Sequence, residues 1–227
     1  TLSSSSAASD VYKRQVQSVD TRIVQLALLD VEGFAEPVIA QLLSIPERDE
    51  PALNRLTLQA GRTVAPGRPD EAIVSESFAE AHGLVPGSRI AAILNGHRRT
   101  LRVVGIGLSP EFVYAIGPGA LMPDDQRFGV IWMGREALAA AYDLEGAFND
   151  VTVSLLRGVV PEAVIGPLDD LLAPYGGIGA YPRKDQISNW FLMSEIDQLA
   201  NIAGILPLIF PVSYTHLRAH ETVLDLV

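Results

Sequence analysis

The chain contains no cysteine. That excludes disulfides, thiolate nucleophiles and zinc sites built on cysteine. Histidine is almost as scarce. Of the four present, His216 and His220 fall in the last residues, and only His82 and His97 lie in the body of the chain. Neither has an H-x-x-x-H partner, so neither announces a metal centre. His97, next to Arg98 and Arg99, reads as part of a solvated turn. Basic charge is short as well: 17 Lys and Arg stand against 27 Asp and Glu, a formal net charge of −10. Such a balance repels phosphate backbones, and no basic, aromatic-spaced face offsets it, which excludes nucleic acid as a partner. Arg98, Arg99 and Arg102 make one small basic spot, read as a solvated strand face. No G-x-x-x-x-G-K-[ST] loop is present, so ATP hydrolysis by that mechanism must belong to another subunit or domain.

The remaining chemical candidates are weak. Gly105-Ile106-Gly107 begins like a dinucleotide fingerprint, but Pro110 stands where the third glycine belongs and no helix pattern follows. A strand ending in a bend is the better reading. Ser75 or Ser77 with His82 and an acid can be drawn as a hydrolase triad, yet no G-x-S-x-G elbow surrounds either serine. Helix capping accounts for both. Asp124-Asp125 is one acidic pair, far short of a calcium shell. The expectation is a non-catalytic chain with no cofactor or metal.

The two ends stand apart from what lies between them. Asp10 to Gln15 (DVYKRQ) and Val212 to His216 (VSYTH) can be encoded by opposite strands of one short DNA that resembles the transposon end of sequencing adapters. We therefore read residues 1–15 and 212–227 as translated adapter and exclude them from fold reasoning. What remains suits one or two compact domains.

Within it, the surest local signal is Asn95-Gly96 between the strand-like runs Ser88 to Leu94 and Thr100 to Ile106. Asparagine and glycine supply the left-handed conformations that a type I′ hairpin turn requires. The stretch 83–133 is read as an inserted hairpin lobe with a thin core. Its end, Pro110 to Gly129, is rich in proline and glycine but keeps Phe112, Tyr114, Ile116, Leu121, Met122 and Phe128, too many large apolar groups for a disordered linker. It is expected to be an ordered loop on the hairpin.

Elsewhere strands are expected at Thr21 to Val31, Arg55 to Gln59, Ala72 to Val74 and Val151 to Leu156; Val38 to Ile45, a short apolar run closed by Pro46, suits a strand or a short helix, and the strand is preferred. Helices are expected after Ser75 or Ser77, over Gly134 to Leu144 and over Pro161 to Leu172. This order predicts an α+β domain whose first and last portions form one split strand/helix lobe. A final helix from Gln186, capped by Asp185, carries Leu192, Ile196, Leu199, Ala203 and Leu206 at spacings of four and three, the stripe of a packing seam. It runs into IAGILPLIFP, Ile202 to Pro211, ten residues without a charge. That run is either the first half of a membrane span or a buried core helix ending at Pro207.

Several segments resemble the extracytoplasmic core of MacB-type, FtsX-like ABC transporter permeases. They are LNRLTLQAGR (Leu53 to Arg62), EAIVSESFAEAHGLVPGSRI (Glu71 to Ile90), the Asn95-Gly96 hairpin, VVGIGLSPEFVYAIGPGALMPDD (Val103 to Asp125), AFNDV (Ala147 to Val151) and LLAPYGGIGAY (Leu171 to Tyr181). The resemblance implies a core over 16–185, then a stalk helix and truncated membrane span over 186–211. It also implies a membrane helix before the domain, several after it, a separate ABC ATPase subunit, a permease homodimer or heterodimer, and an extracytoplasmic partner protein. The expected location is the cell (inner) membrane, with this domain outside the cytoplasm. No catalytic residue comes with the resemblance. A soluble ligand-binding or adhesion module is the alternative, and a hydrolase the third choice.

Overall fold

A computed structural model describes residues 15–31 and 38–203. Among the described residues, nine strands and four helices form a mixed α+β architecture. The strands are β1 (Val16–Arg22), β2 (Val24–Asp30), β3 (Val38–Ile45), β4 (Thr57–Gly61), β5 (Glu71–Ser75), β6 (Arg89–Leu94), β7 (His97–Leu108), β8 (Phe128–Gly134) and β9 (Asp150–Leu155). Helices α1 (Glu76–Ala81), α2 (Arg135–Tyr142) and α3 (Glu162–Leu172) follow β5, β8 and β9. A fourth, α4, is helical over 187–203, up to the last described residue.

Seven strands form one sheet in the order β4-β7-β5-β8-β3-β2-β6. The long β7 pairs with β6 through its first half and with β4 and β5 through its second, so the sheet closes on itself between β6 and β7. Among the described residues only β3 with β8 and β5 with β7 run parallel. The turn that makes the β6–β7 closure is Asn95-Gly96, both at positive φ (47° and 77°) as the sequence requires. The 83–133 stretch is nonetheless no separate lobe. Its hairpin pairs with β2, β4 and β5, and β8 sits between β3 and β5.

Alternation along the strands explains two cores on the two faces of this sheet. Ala72, Val74, Ile131 and Met133 point inward, with Phe78 of α1 and Leu138 of α2 completing the inner cluster. Ile73, Val130 and Trp132 point outward beneath Phe112 and Ala115. The proline-rich loop thus lies on the outer face of β5 and β8, and not on the hairpin tip. It leaves Leu26, Leu28, Ile39 and Ile93, farther round the same face, exposed.

One expected strand, Thr21 to Val31, is two. Ile23 interrupts it: the residue is fully buried, its N–H donates to Ser44 Oγ at 2.8 Å and its carbonyl accepts from Ser44 N–H at 2.9 Å. Before this break β1 leaves the main sheet and pairs antiparallel with β9. The chain's first portion therefore meets a much later one in a separate two-stranded sheet.

Candidate functional site

Side-chain hydrogen bonds join the two-stranded sheet, the loop after β7 and the start of α4 at one junction. At the end of the β1–β9 ladder Arg22 stands opposite Asp150. Its Nε and Nη2 donate to Asp150 Oδ1 at 2.8 and 2.6 Å. The same guanidinium donates to Glu111 in the loop, Nη1 to Oε2 at 2.5 Å and Nη2 to Oε1 at 2.9 Å. Asn54 Nδ2 adds a third donor to Glu111 at 2.8 Å. The side chains of Arg22 and Glu111 are only 11% and 13% exposed. Burial alone lowers the Arg22 pKa; the bonds and charges of Glu111 and Asp150 outweigh it, and the guanidinium is held above its ordinary value. A planar fork facing two carboxylates suits arginine and would not suit lysine.

Asn149 completes the junction by acting as a strand partner for Val24. Its Oδ1 accepts from Val24 N–H at 2.8 Å, and its Nδ2 donates to the Val24 carbonyl, also at 2.8 Å. The AFNDV segment thus supplies both Asn149 and Asp150 to this point.

From Glu111 the contacts pass to α4. Gln186 Nε2 donates to the Glu111 carbonyl at 3.1 Å, Arg183 Nη2 to the Pro110 carbonyl at 2.9 Å, and Tyr114 N–H to Ser188 Oγ at 3.0 Å. Tyr114 OH donates to Glu195, and its ring lies 6.2 Å from that of Phe191. The Glu195 bond, ahead of partial burial and the carboxylate charge, raises the Tyr114 pKa.

Asp185 does not cap α4. It lies in a 3-10 turn over Arg183–Asp185, and Gln186 has extended backbone. The Gln186 carbonyl accepts from Trp190 N–H at 2.9 Å, which makes Gln186 the residue at the helix entrance. The face of α4 turned to the loop carries Ser188, Phe191 and Glu195. The expected seam is only half-buried at Leu192 and is open beyond, with Ile196 and Leu199 47% and 65% exposed. Ala203 is exposed, and Leu206 lies outside the described residues. No helix among the described residues is long and apolar enough to cross a membrane; the run Ile202 to Pro211 falls almost wholly outside them.

The chemical candidates are occupied structurally. Ser75 sits at the start of α1, but its hydroxyl makes no capping bond and instead accepts from Val130 N–H at 3.3 Å. His82 donates from Nε2 to the Gln126 carbonyl at 3.0 Å, and its ring lies tilted against that of Phe78. Asp124 Oδ1 accepts from Gln126 and Arg127 N–H, forming a turn. Among the described residues no group of three or more His, Asp or Glu is placed to hold a metal ion. Gly105 serves close strand approach: a Cβ there would lie 2.5 Å from the Arg62 carbonyl.

The sequence reading missed Arg22, Glu111 and Asp150. Arg22 and Glu111 are 89 residues apart, and no local period links them. The signal available was a charged residue inside each of two quoted segments, the proline-rich loop and AFNDV.

No protein-family model matches the chain, and no curated protein matches it either. Among solved structures it is similar to the extracellular domain of the noncanonical ABC-type transporter YknZ from Gram-positive bacteria, with 15% identity, 75% of this chain and 83% of that one covered, and a TM-score of 0.44. It is also similar to the periplasmic region of MacB from Actinobacillus actinomycetemcomitans, with 17% identity, 74% and 73% covered, and a TM-score of 0.42. A domain of a permease protein from Porphyromonas gingivalis gives 15% identity, 76% and 70% covered, and a TM-score of 0.39.

Proposed function

We propose that this chain is the extracytoplasmic part of an ABC transporter permease subunit. It performs no chemistry itself and couples conformational change driven by a separate ATPase to export, or to lipid or lipoprotein handling, at the cell membrane. Its expected partners are that ATPase, a second permease subunit and an extracytoplasmic protein. The residues 1–15 and 212–227 remain adapter translation in this reading.

One observation carries the coupling role: α4 is clasped at its start by the loop after β7 and leaves the fold with its apolar stripe open. A helix gripped at its start transmits displacement along its length, because its backbone hydrogen bonds make it stiff. The motif segments that carry the resemblance also supply the clasp, through Asn54, Glu111, Tyr114, Asn149 and Asp150.

The test is Leu199→Pro in the uninterrupted protein reconstituted with its ATPase. Proline removes a helix hydrogen bond and clashes with the preceding turn, at a cost of about 3 kcal/mol or more to the helix. Transport is expected to fall at least tenfold while the 16–185 core keeps its unfolding midpoint. Undiminished transport would overturn the coupling role.

A further inference from the structure

We infer that Glu111 is a latch that sets the position of α4 relative to the β1–β9 sheet, using its side chain on one partner and its backbone on the other. The inference deepens the coupling reading above and rests on it for its functional meaning. Under that reading β1 follows one membrane helix and α4 precedes the next. Glu111 is where these two membrane-linked stems meet.

The geometry has a direction. The Glu111 carboxylate is fixed by three bonds, two from Arg22 and one from Asn54. Arg22 is fixed in turn by Asp150 across the ladder. With the carboxylate held, the Glu111 backbone has little freedom, and its carbonyl is the acceptor for Gln186 at the entrance of α4. The neighbouring Pro110 carbonyl and Tyr114 N–H engage Arg183 and Ser188 on either side of that entrance. A displacement of β1 against the closed sheet must therefore drag the loop and tilt α4, or break the Arg22–Glu111 pair. Both members of the pair are largely shielded from water, so breaking it leaves a buried charge without its partner. That is the physical basis for two discrete arrangements, latched and released, over a continuous slide.

The experiment is amide hydrogen exchange, read by mass spectrometry on the 227-residue chain and on Glu111→Ala, Glu111→Gln and Gln186→Ala. Loss of a hydrogen bond to a charged group is expected to speed local exchange about tenfold. Glu111→Ala should do so in 187–195 and in the β1–β9 ladder while β3 and β8 keep their protection. Glu111→Gln, which keeps the shape and an acceptor for Asn54 but loses the charge facing Arg22, should give a smaller rise in the same places and guards against failure of the alanine variant to fold. Gln186→Ala, downstream of the latch, should loosen α4 alone. Unchanged exchange in α4 after either Glu111 substitution would overturn the latch. So would a rise in β3 and β8 equal to that in α4, or a loosening of β1–β9 by Gln186→Ala. The assay needs no membrane, ATPase or transport, so its failure leaves the permease reading standing, and failure of the Leu199→Pro test leaves the latch standing.

Discussion

Two residues show how much of the stability rests on single groups. Glu71 is a carboxylate only 3% exposed, held by Arg62 through Nη1 and Nη2 and by the Ala65 N–H. The Arg62 bond, ahead of the opposing effect of burial, lowers its pKa from 4.5 to about 2. A group whose folded pKa is depressed binds fewer protons in the native state than in the unfolded one across that interval. Its contribution is therefore complete above the ordinary glutamate range and disappears as the pH falls from about 4.5 to about 2. Glu71→Gln is expected to lower stability by about 2 kcal/mol at pH 7 and to flatten the decline between pH 4.5 and 2, measured by urea unfolding at a series of pH values. Equal slopes for the two proteins in that window would contradict the assignment. Gly61 makes the same point for the backbone. It sits at φ +79°, and a Cβ there would come 2.2 Å from the Val104 carbonyl. Gly61→Ala should cost about 2 kcal/mol in the same unfolding assay, through left-handed strain and displacement of β4 from β7.

At the scale of elements, what was legible depended on how local the determining contact is. β5 was readable as a short apolar run between polar turns, whereas Val38 to Ile45 suited a strand or a short helix, and only its length and the bounding Pro46 favoured the strand it forms as β3. The Asn95-Gly96 turn was readable because only such residues adopt its two positive φ angles. Gly96→Ala is accordingly expected to destabilise the β6–β7 closure by about 1 kcal/mol, seen as a lower thermal midpoint with exchange fastest in β6. The split of Thr21 to Val31 into β1 and β2 was not readable. Nothing in an unbroken β-branched and aliphatic run marks Ile23 as the point of exchange between sheets, because the cause is Ser44, on a different strand. Helix α4 was legible as a helix, but the side it docks on was not. Its docking is polar and aromatic, through Ser188, Phe191 and Glu195, whereas the periodic stripe points away.

For the whole molecule, the closed sheet, the β1–β9 pair and α4 converge on one loop, and the proposed coupling rests on that convergence. The account's centre is that α4 moves with the nucleotide state of an ATPase on the other side of the membrane. The most direct measurement is the distance between spin labels placed at Asn95 and Leu199 in the intact permease, reconstituted in lipid with its ATPase, with and without ATP. The account predicts a distance distribution that shifts by several ångström, about one helical turn, on ATP binding and returns after hydrolysis. An identical distribution in all nucleotide states, with hydrolysis confirmed in the same sample, would contradict it.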